Sequence, residues 1–146
     1  DQVVVLETNI DDASPQSLAF CAERLLDAGA LDVFQTPCVM KKGRLGVVLT
    51  TLCDAEHVAQ LESILFTHTS SIGIRRHTSN RRKLVRRSET VSTDFGPLRG
   101  KVVVVPGGAE RFAIEDDDAV AMAKQHSVDV AQIRAAAQSA WQNRNS

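Results

Sequence analysis

The order of apolar runs and chain breaks predicts an α+β fold. Two observations carry this. Over residues 2–79, strand-like and helix-like segments follow one another as strand, helix, strand, strand, helix, strand. Over residues 80–142, two further apolar strands and a helical end follow. The first pattern is that of a split βαβ unit, an antiparallel sheet with both helices on one face.

Each element has its own warrant. Val3, Val4, Val5 and Leu6 form a short apolar run suited to a buried strand, and the break-rich "ETNIDDASP" ends it. Ser14 is a good N-cap for a first helix, with Pro15 pre-set for the first helical position. Leu18, Ala22, Leu25 and Leu26 are expected on its apolar face, and Gly29 supplies a left-handed stop. "ALDVFQTPCVM" reads as a strand in which Pro37 indicates an edge or a bulge. Gly43 turns the chain into "LGVVLTTLC". Asp54 is expected to cap a second helix carrying Val58, Leu61, Ile64 and Leu65, and "SIGIRRH" is the fourth strand. The result is a ferredoxin-like βαββαβ domain over residues 2–79.

Beyond it, "KLVRRSETVSTDF" and "PLRGKVVVVPGG" read as a β-hairpin joined at Gly96-Pro97, either extending the sheet or standing apart. Asp118 or its acidic neighbours open one helix with Val120, Met122 and Ala123. Asp129 and Gln132 form a capping box for another, carrying Val130, Ile133, Ala137 and Trp141, and "NRNS" is expected to fray. Residues 80–142 are thus a hairpin and helical extension.

The totals narrow the function. A chain of 146 residues fits one domain, or a domain with a small appendage. The formal net charge of -1 gives no bulk attraction to nucleic acid or anionic membrane, so any anion site must be local. Aromatic residues are 4% with no Tyr, which removes the stacking platforms of single-strand nucleic-acid binders. No apolar run is long enough to span a membrane as a helix. Cys21, Cys38 and Cys53 lack zinc spacing and are expected to be reduced thiols of a cytoplasmic protein. The chain starts at Asp1 without Met, and we expect further residues upstream.

Two charge anomalies remain. "RRHTSNRRKLVRR" places Arg75, Arg76, Arg81, Arg82, Lys83, Arg86 and Arg87 within thirteen residues, and "MKKGR" puts Lys41, Lys42 and Arg44 on one turn. A basic edge strand resists aggregation and a basic turn is an ordinary solvated tip. Clustered guanidinium forks equally suit polyphosphate oxygens. On the acidic side, Asp11 and Asp12 follow the first strand, and Glu115 and Asp118 lie in "EDDD". Such carboxylates can hold Mg²⁺ or Mn²⁺ beside phosphates, or simply favour a helix N-terminus. No catalytic triad, P-loop or H-E-x-x-H occurs, and His57, His68, His77 and His126 show no ligand spacing.

Five stretches in register, "LETNIDD", "LLDAGALDVFQTP", "MKKGRLG", "SSIGIR" and "FGPLRGKV", resemble the C-terminal domain of LarC-type nickel insertion proteins of nickel-pincer nucleotide biosynthesis. The likeness runs from about Val4 to Ala137. It implies a lyase-class nickel chelatase that loads Ni²⁺ into pyridinium-3,5-bisthiocarboxylic acid mononucleotide. Such enzymes convert CTP to CMP and pyrophosphate with Mg²⁺ or Mn²⁺. It further implies an oligomeric, CTP-binding module with sites between subunits and an N-terminal domain or subunit upstream. By residue, it implies phosphate contacts from Lys41, Lys42, Arg44, Arg75, Arg81 and Arg86. Asp11, Asp12, Glu115 and Asp118 are implied as metal-binding acids. The family's "PEYED" differs here: its proline and tyrosine are Ile114 and Asp116. The following cysteine is Ala119, and the glycine before the last helix is Ser127. Alternatives are a non-catalytic nucleotide-sensing module, or an RNA-binding domain of the same strand order, which Phe34 alone on the second strand disfavours.

Overall fold

The computed structural model describes residues 1–144 and divides into two units, Asp1–Arg82 and Lys83–Ser146. The first contains β1 (Gln2–Ile10), α1 (Pro15–Asp27), β2 (Asp32–Val39), β3 (Leu45–Cys53), α2 (Val58–His68) and β4 (Arg75–Asn80). Its sheet has the order β2-β3-β1-β4 with every neighbour antiparallel. That is the ferredoxin-like arrangement. Pro37 lies on the edge strand β2, where its missing N–H leaves no interior ladder position unfilled.

One core joins this sheet to both helices. Leu6 and Ile10 of β1, Leu18, Cys21 and Leu25 of α1, Leu49 and Cys53 of β3, and Leu61 and Leu65 of α2 are all buried in a single cluster. Burial pushes the Cys21 and Cys53 thiols up from their ordinary value, which keeps them protonated and inert. Ser14 Oγ accepts from the Ser17 N–H at 3.1 Å, closing the helix start. At the other end Gly29 adopts φ +95°, and the Ala30 N–H reaches back to the Leu25 carbonyl. The His57 ring packs against Gly29, where a Cβ would lie 2.8 Å from it.

The structure corrects several element boundaries. β1 runs on through Ile10, because Leu6, Thr8 and Ile10 alternate inward while Glu7 and Asn9 face the other side. β4 begins only at Arg75; the preceding residues form a turn in which Ser71 Oγ donates to the Gly73 carbonyl at 2.8 Å. Asp54 caps a short 3-10 turn (Ala55–His57) instead of α2, and makes no side-chain capping bond. Leu26 is exposed, because Cys21 takes the place on the buried stripe of α1.

The second unit holds β5 (Arg86–Thr93), β6 (Gly96–Val104), β7 (Glu110–Ile114), α3 (Asp116–His126) and α4 (Val130–Arg144). Its strands form their own antiparallel sheet, β5-β6-β7. The expected hairpin is therefore three-stranded, and its first turn lies at Asp94-Phe95, where Thr93 Oγ1 donates to the Gly96 carbonyl at 2.8 Å. Val91, Leu98, Val102, Phe112, Ala119, Ala123, Ile133, Ala137 and Trp141 form the core of this unit. Phe112 stacks on Trp141 with ring centroids 5.3 Å apart. Gly100 leaves room for Phe112, whose ring would sit 2.3 Å from a Cβ there. Asn143 and Arg144 of the expected frayed tail are helical, and Arg144 lies 4.8 Å over the Trp141 ring; Asn145 and Ser146 lie outside the described residues.

Candidate functional site

In the first unit, β1 and β2 end at the same edge of the sheet at which β3 and β4 begin. This follows from the antiparallel pairing: Ile10 opposes Val47, Val39 opposes Leu45, and Glu7 opposes Arg75. The basic β2–β3 turn and the first residue of β4, far apart in sequence, thereby meet. They line a cavity of about 620 Å³ together with Asn9, Asp11, Val39 and Met40. Lys41, Lys42, Arg44 and Arg75 supply its positive charge.

The turn that carries these cations is tightly built. The Met40 N–H donates to the Arg44 carbonyl at 2.7 Å and the Gly43 N–H to the Met40 carbonyl at 3.2 Å. Lys42 takes φ 61°, ψ 24°, the left-handed region that only glycine and, less often, asparagine enter without penalty. Gly43 follows at φ 71° with open space around it. At Gly46 a Cβ would lie 2.6 Å from the Ile10 carbonyl and 2.8 Å from Met40 Sδ, so its absence lets the start of β3 close onto β1 and the turn.

Two carboxylates balance two of the four cations. Arg44 Nη1 lies 3.3 Å from Asp11 Oδ2, and Arg75 Nε lies 3.6 Å from Glu7 Oε2. Asn9 Nδ2 makes a long contact to Cys38 Sγ, 3.8 Å. Because Asn9 is at the end of the extended β1, reading that strand as finished at Leu6 hides its place beside the basic turn.

The other candidates lie elsewhere. Arg76 points to the helix side of the sheet and meets Glu62 at 3.4 Å. Arg81 follows β4 at the opposite end from Arg75 and makes a two-pronged pair with Asp1 at 3.1 and 2.8 Å. Arg86 is exposed on β5 in the second unit. The arginine-rich stretch is therefore divided, and only its first member joins the basic turn within the first unit.

Within the first unit Asp11 and Asp12 diverge. Asp12 accepts a hydrogen bond from Ser70 and borders a groove of about 770 Å³ with Ser14, Ser17 and Thr69, away from Asp11. In the second unit Asp118 is clasped by Arg99 at 2.9 and 2.6 Å, and Glu115 is paired with Lys101 at 2.9 Å. The Arg99 hydrogen bonds hold the Asp118 carboxyl below its ordinary range. Arg99 and Lys101 were not among the sequence candidates. Their alternation in "LRGK" places both on one side of β6, which is the signal that could have flagged them.

These geometries bear on a divalent ion. Among the described residues no group of three or more His, Cys, Asp or Glu could hold a metal by itself. Mg²⁺ or Mn²⁺ bound through phosphates needs only one or two carboxylates. Asp11, Asp118 and Glu115 each already face a cation, at 3.3 Å from Arg44, 2.6 Å from Arg99 and 2.9 Å from Lys101; of the three, Asp11 lies in the basic cavity.

The first unit is thus a ferredoxin-like α+β module with four cationic side chains around one cavity at an end of its sheet. Comparison with known proteins is more specific. Residues 1–134 match the family described as nickel insertion protein. A Rhodopirellula baltica protein named for nickel insertion is 49% identical over 97% of this chain and 36% of its own length. The pyridinium-3,5-bisthiocarboxylic acid mononucleotide nickel insertion protein of Acetivibrio thermocellus is 40% identical over 91% of this chain and 32% of its own length. The apo structure of LarC2, the C-terminal domain of a cyclometallase involved in synthesis of the NPN cofactor of lactate racemase, superposes with a TM-score of 0.90 at 32% identity. That alignment covers 97% of this chain and 98% of LarC2. A Methanopyrus kandleri protein shares the fold, with a TM-score of 0.68 at 21% identity over 95% of this chain and 88% of its own. The chain belongs to the nickel insertion protein family. It spans about a third of the length of the curated relatives it matches. Among the described residues no helix is long and apolar enough to cross a membrane.

Proposed function

We propose that this chain is the CTP-binding C-terminal part of a CTP-dependent nickel chelatase of the lyase class. The whole protein would load Ni²⁺, its cargo, into pyridinium-3,5-bisthiocarboxylic acid mononucleotide. The observation that carries this reading is the meeting of Lys41, Lys42, Arg44 and Arg75 around one cavity in a member of this family.

A triphosphate offers about four negative charges, and the cavity supplies four cations from two separate elements, the β2–β3 turn and β4. Arg44 and Arg75 can fork onto phosphate oxygens, while the two lysines act as point charges. An acceptor oxygen of the substrate would attack the α-phosphorus and break the α–β phosphate link. The four cations stabilise the charge that builds on the departing pyrophosphate, and no side-chain nucleophile is required. A divalent ion, Mg²⁺ or Mn²⁺ held by Asp11 with phosphate oxygens, would supply further neutralisation. Arg81, at the opposite end of β4 from Arg75, would reach the same ligand only when contributed by another subunit, so the reading includes a homo-oligomer with shared sites; Arg86 is kept as a further proposed phosphate contact.

The test is pyrophosphate release by the full-length protein containing this chain. CTP, Mn²⁺, Ni²⁺ and the mononucleotide together should give release coupled to nickel loading. Binding of CTP without any turnover under these conditions would instead mark a nucleotide-sensing module.

A further inference from the structure

The two faces of the second sheet treat a similar span differently. On the face turned to the helices, Arg87 of β5 reaches across β6 to Glu110 of β7, its two terminal nitrogens donating to the two carboxylate oxygens at 2.5 and 2.9 Å. Side chains alternate along a strand, so the neighbouring residues Arg86 and Arg111 lie on the opposite face. Both oppose Val103 of β6, Arg86 from β5 and Arg111 from β7. Two strand spacings, roughly 10 Å, separate their backbones. Arg87 and Glu110 close a longer, diagonal span, because they oppose Val102 and Val104. Two arginine side chains reaching inward from Arg86 and Arg111 therefore suffice to meet over one small group. Here the second arginine stands where the helix side has a carboxylate.

The rest of this open face is balanced in charge. Lys101 is paired with Glu115 at 2.9 Å, and Arg99 is clasped by Asp118 at 2.9 and 2.6 Å. Among the described residues no ion pair reaches Arg86 or Arg111. Arg86, Ser88, Lys101, Arg111 and Ala113 are all exposed, so the row is open to a ligand.

We infer that Arg86 and Arg111 hold the phosphate monoester of the mononucleotide substrate between them, in a site made by the second unit alone. The inference rests on the reading above for the identity of that substrate, which is part of a relative's name. A phosphate monoester carries close to two negative charges near neutral pH, matching two unbalanced guanidinium groups. Its oxygens accept from two arginine forks at once. The Ser88 hydroxyl, two residues along β5 on the same face, is a further donor. A single carboxylate would leave one arginine unbalanced.

The experiment titrates the full-length protein by calorimetry with three ligands. They are nicotinic acid mononucleotide, which is a pyridinium ribose phosphate, its riboside lacking the phosphate, and CTP with Mn²⁺. Wild type should bind the mononucleotide at least about tenfold more tightly than the riboside. Arg111→Gln should remove most of that preference and leave the CTP affinity unchanged. Arg111→Glu sets a carboxylate against Arg86 as Glu110 is set against Arg87, and should abolish mononucleotide binding without lowering the urea midpoint. Equal binding of mononucleotide and riboside by wild type, or a preference that survives both substitutions, would overturn this site and leave the CTP reading standing. A matching loss of CTP affinity in Arg111→Gln would overturn it too, by giving this face to the triphosphate. Failure of wild type to bind CTP, with the mononucleotide preference lost in Arg111→Gln, would support this site and overturn the CTP reading.

Discussion

Arg75 on β4 and Glu7 on β1 face each other across the sheet at 3.6 Å, and their pairing brings Arg75 to the edge where the basic β2–β3 turn emerges. Charges 31 to 34 residues apart in sequence therefore share one cavity because two strands pair in one register. Slipping β4 by a single residue would turn Arg75 to the helix side and present Arg76 instead.

Lys42 separates the demands of folding and binding. Its left-handed backbone costs roughly 1 kcal/mol for a residue with a Cβ. Lys42→Gly should therefore be as stable as wild type or up to about 1 kcal/mol more stable. Its CTP affinity with Mn²⁺ should nevertheless fall about tenfold, as in Lys42→Ala. Urea melts and calorimetry on the same preparation check both halves.

Gly46 sets the shape of the site from behind. Gly46→Ala would push a methyl into the Ile10 carbonyl and Met40 Sδ. It should cost about 1–3 kcal/mol of stability by urea unfolding and weaken CTP binding by displacing Asp11 and Met40.

Much of the first unit was legible because its signals are local. Ser14, Pro15 and Gly29 bracket α1 as expected, and Pro37 marks the edge strand. The errors came where tertiary contacts override local pattern. "ETNI" looks like a break, yet Thr8 is buried and bonded to Ser71 and the Gly73 carbonyl, which holds those residues in strand geometry. β7 escaped notice because "ERFAI" is short and carries two charges; only its register against β6 makes it a strand. For the site, composition exposed the cations but could not say which converge. That depends on strand order, which sends Arg75 and Arg81 to opposite ends of β4.

Ser127 stands where the resembling family has glycine, and the structure gives it φ 54° at the end of α3. The Val128 N–H reaches the Ala123 carbonyl at 3.1 Å, the bond of a left-handed helix stop. Ser127→Gly should raise the stability of the second unit by about 0.5–1 kcal/mol, read as a higher urea midpoint.

Acid should act on the second unit through Asp118 and Glu110. Hydrogen bonds from Arg99 and Arg87 hold these carboxyls below their unfolded values. Their contribution is complete above the ordinary carboxylate range near pH 4 and is lost as pH falls through the lower folded values. Asp118→Asn should lower the urea midpoint at pH 7, with the gap to wild type narrowing at pH 3. A gap that does not change with pH would contradict this.

The central claim is that one cavity at the sheet edge binds the triphosphate, and calorimetric titration of CTP in the presence of Mn²⁺ tests it most directly. Wild type should bind, and Arg75→Ala, on a different element from the basic turn, should weaken binding at least about tenfold, as should Lys42→Ala. Equal affinity in wild type and both variants would place the nucleotide elsewhere and contradict the assignment.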